Sequence, residues 1–182
     1  ALFSHNTTTI TGDMESTVGG TLTMQAGKSI LLNGNLDTND DDLTLVANET
    51  VANGVDDASR SAGAALITVQ AGKAIDAGTG NVSVLMSTGT GLTNLTSGDI
   101  TLGAVTGADI TVNNNGPTAA TKINLDGALF SHNTTTITGD MESTVGGTLT
   151  MQAGKSILLN GNMDTNDDNL TLVANETVAN GV

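Results

Sequence analysis

Residues 1–55 return as residues 128–182 with two changes, Leu36 becoming Met163 and Asp42 becoming Asn169. The stretch from Asp56 to Gly127 occurs once, between the copies, so the repeating unit runs from Ala1 to Gly127. The chain holds one full unit, 1–127, and the opening part of the next, 128–182. Ala1 and Val182 both fall inside the unit, and the chain reads as a window on a longer tandem array that continues one structure across the junction. Repetitive architectures stack units that touch only their neighbours, so they build length rather than a single catalytic pocket.

The interior of such a stack must be aliphatic. The chain has no Trp, Tyr or Cys and only two Phe, Phe3 and Phe130, which are one repeat position seen twice. An ordinary compact domain draws much of its buried area from aromatic rings. Leu, Ile, Val, Met and Ala must fill this one, with Phe3 and Phe130 expected as core fillers once per unit.

Apolar-x-apolar triplets recur along the chain: Leu22-Thr23-Met24, Ile30-Leu31-Leu32, Leu43-Thr44-Leu45, Ile67-Thr68-Val69 and Val82-Ser83-Val84. They continue at Ile100-Thr101-Leu102, Ile110-Thr111-Val112, Ile123-Asn124-Leu125 and, in the second copy, Leu149-Thr150-Met151. Period two with β-branched residues predicts strands, and the intervening Gly, Asn, Asp and Ser clusters predict turns. Sustained helical periodicity is absent, and the one short candidate, Ala58–Ala65, contains Gly63.

Triplet spacing of about 10 to 24 residues suits a solenoid whose coils carry two or three short strands. At roughly 20–25 residues per coil the unit would form about five or six coils, a rise of roughly 25–29 Å at about 4.8 Å each. None of the triplets contains a charge, as stacking requires, because like charges repel from coil to coil. The expected fold is all-β, a right-handed parallel β-helix. The competing architecture is a string of immunoglobulin-like sandwiches, which also consist of short strands but usually carry a core aromatic.

Ser29–Thr38 followed by Asp42-Leu43-Thr44-Leu45 resembles the coils of large bacterial exoproteins and adhesins of the filamentous-haemagglutinin type. The pattern glycine–polar–apolar–Thr–apolar at Gly98–Leu102 and Gly107–Val112 is similar to theirs. The resemblance implies a right-handed parallel β-helix, an extracellular rod on the bacterial cell surface and a role in adhesion, and it transfers no catalytic residue.

Candidate chemistry is sparse. A net charge of −14, with Arg60 the single Arg beside four Lys, leaves no basic surface for nucleic acid. Nor does any segment approach the ~20 apolar residues needed to insert in a membrane. The acidic run Asp37–Asp42 is the best site: Asp37, Asn39, Asp40 and Asp41, with Asp164, Asn166, Asp167 and Asp168 in the second copy, offer oxygen ligands for weakly held calcium. An EF-hand needs Gly and Glu where Asp42 and Asn48 stand, and the competing reading is a solvated acidic turn.

Gly27-Lys28-Ser29 and Gly154-Lys155-Ser156 end like a phosphate loop, but Leu22 and Leu149 replace its first glycine. Gly89-Thr90-Gly91 lacks a third glycine, since Asn94 stands there. His5 and His132, one per unit and far from any second ligand type, read as turn residues. Sequons begin at Asn6, Asn48, Asn81, Asn94, Asn133 and Asn175 and leave glycosylation open.

No enzyme and no cofactor are expected. The leading expectation is a structural fibre or adhesin stalk whose partners are further copies of the unit, with lateral bundling of rods. The second is a series of calcium-rigidified adhesive domains that bind surface glycans or neighbouring cells.

Overall fold

The computed structural model describes residues 1–17, 19–49, 60–88, 95–114, 116 and 121–175. Among them the chain forms 21 short strands and no helix. The lowest coil holds β1 (Leu2–Ser4), β2 (Thr8–Ile10) and β3 (Met14–Glu15), and the second holds β4 (Leu22–Ala26), β5 (Ile30–Leu32) and β6 (Leu36–Asp37). Above them run β7 (Leu43–Ala47), β8 (Gly63–Val69) and β9 (Ala74–Asp76), then β10 (Val82–Met86), β11 (Leu95–Leu102) and β12 (Ala104–Gly107). The fifth coil is β13 (Ile110–Asn114), β14 (Ile123–Leu125) and β15 (Leu129–Ser131), and the sixth is β16 (Thr134–Thr138), β17 (Met141–Ser143) and β18 (Thr148–Ala153). The top coil is β19 (Ser156–Asn160), β20 (Met163–Asp164) and β21 (Asn169–Ala174).

Every third strand shares a sheet, which gives three seven-stranded sheets: one from β1 to β19, one from β2 to β20 and one from β3 to β21. All pairings are parallel. This is a parallel β-solenoid; an immunoglobulin-like sandwich, built of antiparallel sheets, is excluded. Of the helix candidate at 58–65, positions 58 and 59 lie outside the described residues, and the rest is answered by β8, which already begins at Gly63.

Alternation along each strand sets the core. In β4 the pattern from Leu22 to Ala26 is buried, partly exposed, buried, partly exposed, buried. Stacking such strands lines up identical faces. The interior column of the first sheet rises through Leu2, Met24, Leu45, Val84, Val112, Ile137 and Leu159, one residue per coil at uneven intervals along the chain. The core is mainly aliphatic, from Met24 and Ile30 to Ile137 and Met151, with all four fully buried; among it the buried hydroxyls of Ser131 and Thr135 hydrogen-bond each other at 2.9 Å. Phe130 departs from expectation. It lies between buried Leu129 and Ser131 and points out of its sheet, stacked in register between Thr106 and Gln152. Phe3 is 52% exposed. A coil this narrow suits aliphatic side chains, and the ring stands outside.

Two further expectations need correction. Among the described residues the unit contains fourteen strands, β1–β7 in the repeated segment and β8–β14 in the unique one, so it spans four and two-thirds coils rather than five or six. At about 4.8 Å per coil its rise is about 22 Å. A wide connection makes the difference: Leu45 and Val84 sit on adjacent coils, yet the chain between them is almost twice as long as that from Met24 to Leu45. Charges also enter the strands: Glu15, Asp37 and Asp76 stack in register on β3, β6 and β9, and Glu142 stacks on Asp164. Glu15, Asp37, Asp76 and Asp164 are the last residues of their strands, and Glu142 is the middle residue of the three-residue β17. Glu15, Asp37 and Asp76 face solvent there, where water and salt screen the repulsion.

Candidate functional site

The acidic run forms the corner between β6 and β7. Asn39 and Asp40 take left-handed backbone, at φ 53° and 66°, and the second copy repeats this at Asn166 and Asp167 with φ 49° and 64°. Asn and Asp tolerate that region because their short polar side chains bond the nearby backbone. Here the Asp37 carboxylate accepts the Asn39 N–H at 2.8 Å, and Asp164 accepts that of Asn166 at 3.0 Å.

The remaining groups reach between coils. Downward, the Asn39 side-chain amide donates to Glu15 Oε1 at 3.0 Å and to the Ser16 carbonyl at 2.6 Å, while Asp41 accepts the Gly20 N–H at 2.7 Å. Upward, Asp40 accepts the Thr79 N–H at 2.9 Å, and Asp42 accepts both the N–H and the side-chain amide of Asn81, at 2.8 and 3.0 Å. The second copy keeps the downward bonds of Asn39 and shifts that of Asp41 by one residue, from Gly20 to the equivalent of Gly19. Asn166 donates to Glu142 and Ser143, and Asp168 accepts from Ser143 Oγ and the Gly146 N–H. Asp37, Asn39 and Asp40 also face Asp76 and Gly78 across an open polar depression. Asp37, Asp40 and Asp76 each give one carboxylate oxygen to a backbone N–H. Among the described residues no three acidic or histidine side chains converge as a metal site would need. Asp40, Asp41 and Asp42 hold coils together here.

The corner is one case of a wider device. An Asp or Asn directly before the first inward residue of a strand accepts the N–H of the matching residue one coil higher. Asp42 takes Asn81, Asn81 takes Asp109 and Asp109 takes Thr134, forming a continuous chain over four coils. Asp13 takes Asn35 and Asn35 takes Ala74 on a second corner, and Asp99, which lies within β11 before Ile100, takes Lys122. In the second copy Asp140 takes Asn162. Each such bond satisfies a corner N–H that bends out of the sheet. The signal was legible as the polar residue of the glycine–polar–apolar–Thr–apolar pattern, although sequence alone gave it no partner.

A second surface feature lies on the outside of the first sheet. Thr23, Thr44, Ser83, Thr111 and Thr136 stack in register over five successive coils. The neighbouring outward column, Gln25, Val46, Leu85, Asn113 and Thr138, is chemically mixed, so the hydroxyl column stands alone.

The remaining motifs have structural roles. The Gly27 and Lys28 amides, which a phosphate cradle would require, already donate to Ser4 O and Asn6 O, and Gly154 and Lys155 repeat this on Ser131 and Asn133. Gly89, Thr90, Gly91 and Asn94 lie outside the described residues. His5 and His132 occupy the bends after β1 and β15. Asn48 is fully buried and its side-chain amide donates to Ser87 O and Ser97 Oγ, so this sequon is closed in the folded chain. Arg60 is 4% exposed, and its side-chain nitrogens find no hydrogen-bond partner among the described residues. Comparison with family models, curated proteins and solved structures finds no match for the chain.

Proposed function

We propose that the chain is a length of a rod on a bacterial surface, a fibre or adhesin stalk that extends by adding further copies of the 1–127 unit to one continuous β-solenoid. The observation that carries this reading is the junction between copies. There β15, β16 and β17 of the second copy pair with β12, β13 and β14 of the first, and the three sheets run on without a break. Registers inside the copies also coincide. Leu2 pairs with Met24 as Leu129 does with Met151, and Leu22 with Leu43 as Leu149 does with Leu170.

The role is mechanical. Backbone hydrogen bonds run along the axis, and each added unit extends them without a hinge. Its partners are further copies of itself, in series and side by side in bundles; it needs no cofactor and performs no catalysis. The resemblance to bacterial exoproteins of the filamentous-haemagglutinin type supports an extracellular setting and an adhesive role.

Negative-stain images of proteins carrying two, four and eight units test the mechanical part. Thin rods of constant width, longer by about 22 Å per unit, are expected. Beads joined by flexible links would refute it. Antibodies raised against the chain should label intact cells of the source organism; labelling only after lysis would refute the surface location.

A further inference from the structure

The two copies provide an internal control on what covers each coil. Leu43 and Leu45 on β7 are 1% and 0% exposed, whereas their equivalents Leu170 and Leu172 on β21 are 38% and 45% exposed. At the other end Leu2 is 38% exposed and its equivalent Leu129 is fully buried. Sequence differs only at Leu36/Met163 and Asp42/Asn169 and local register is the same, so the difference is the neighbouring coil. In the first copy β8, β9 and β10 cover β5, β6 and β7. In the second, β12, β13 and β14 lie beneath β15, β16 and β17.

The copies also occupy different faces. β1, β4 and β7 belong to the first sheet, but their equivalents β15, β18 and β21 belong to the third. Likewise β2 and β5 of the second sheet return as β16 and β19 of the first, and β3 and β6 of the third return as β17 and β20 of the second. Fourteen strands on three faces leave a remainder of two. The hydroxyl column shows the shift directly: on the first sheet it ends at Thr136, while Thr150 and Thr171, equivalents of Thr23 and Thr44, begin a new column on the third.

We propose that the two uncovered coil edges are docking faces for a further unit of the same sequence, and that successive units are turned by two-thirds of a revolution. Copies of β8, β9 and β10 seat on β19, β20 and β21, and copies of β12, β13 and β14 seat under β1, β2 and β3. Each unit then presents its hydroxyl column and acidic corner on the next face round, and the rod repeats only after three units, fourteen coils or about 67 Å. This rests on the tandem-array reading above.

The test extends the chain by one further unit, a second copy of residues 56–182, and introduces Leu172→Cys into a sequence that has no other cysteine. The thiol should react readily with a maleimide in the chain ending at Val182 and at least 100-fold more slowly in the extended one. Equal rates would overturn the docking. Helical reconstruction of a six-unit array should give a rotation near 240° per unit at a rise of about 22 Å. Continuous rods with a rotation near zero would overturn the two-thirds turn and leave the array reading intact. Separate beads would sink the array reading itself.

Discussion

Gly34 occupies a position where a side chain has no room: a Cβ there would lie 2.1 Å from the carbonyl oxygen of Gly12 one coil below. Gly161 repeats the clash against Gly139, also at 2.1 Å. Backbone cannot yield as a flexible side chain does, so Gly34→Ala should destabilise the protein by about 1–3 kcal/mol in urea titration. The opposite sign is expected at Asp37, held between Glu15 and Asp76 in one column. Asp37→Asn keeps the acceptor for the Asn39 N–H and removes a like charge on both sides. Stability at low salt should rise by roughly 0.2–1 kcal/mol, and the gain should vanish in about 1 M salt. An unchanged or lower midpoint at low salt would show that the stacked carboxylates do not repel measurably.

At the scale of the element, the corner bond matters more than the charge that makes it. Asp42 caps Asn81 from the coil below, and the array itself places Asn169 at the equivalent position. An amide oxygen accepts an N–H as a carboxylate does, and Asn35 and Asn81 already act so. Asp42→Asn should therefore leave the urea midpoint nearly unchanged, while Asp42→Ala should cost about 0.5–1.5 kcal/mol. Because these acids are caps, chelator should leave the melting temperature unmoved; a fall of several degrees would restore calcium to the acidic corner. The same scale explains what could be read from sequence. All nine apolar-x-apolar triplets lie within strands, because alternation over three or more residues is a direct trace of one buried face. The corner strands β3, β6 and β9 were invisible: each gives the core a single apolar side chain, Met14, Leu36 or Ile75, and one residue has no period. Without them only part of the third face was legible, through the triplet Leu149-Thr150-Met151 of β18. Phe130 misled for another reason, since hydrophobicity predicts burial but not which side of a strand a ring takes.

For the whole molecule, stability should be local and cumulative. Each coil is held chiefly by the coils above and below, so in the 182-residue chain taken by itself the outermost coils, with one neighbour each, are weaker than the middle. Leu45→Ala, in a fully buried position, should cost about 2–5 kcal/mol, whereas Leu172→Ala, at 45% exposure, should cost much less. Hydrogen exchange should mirror this, with amides of β10 and β13 exchanging far more slowly than those of β19 and β21. Uniform protection along the axis would contradict a nearest-neighbour stack.

Fourteen strands over three sides also bear on how such a rod bends. Any unit whose sides differ in width or in the bulk of their connections should lean slightly toward one side. If every successor leans toward a different side from its predecessor, three leans cancel and the shaft stays straight. A unit with a whole number of coils would add its lean in one direction each time and curl into an arc.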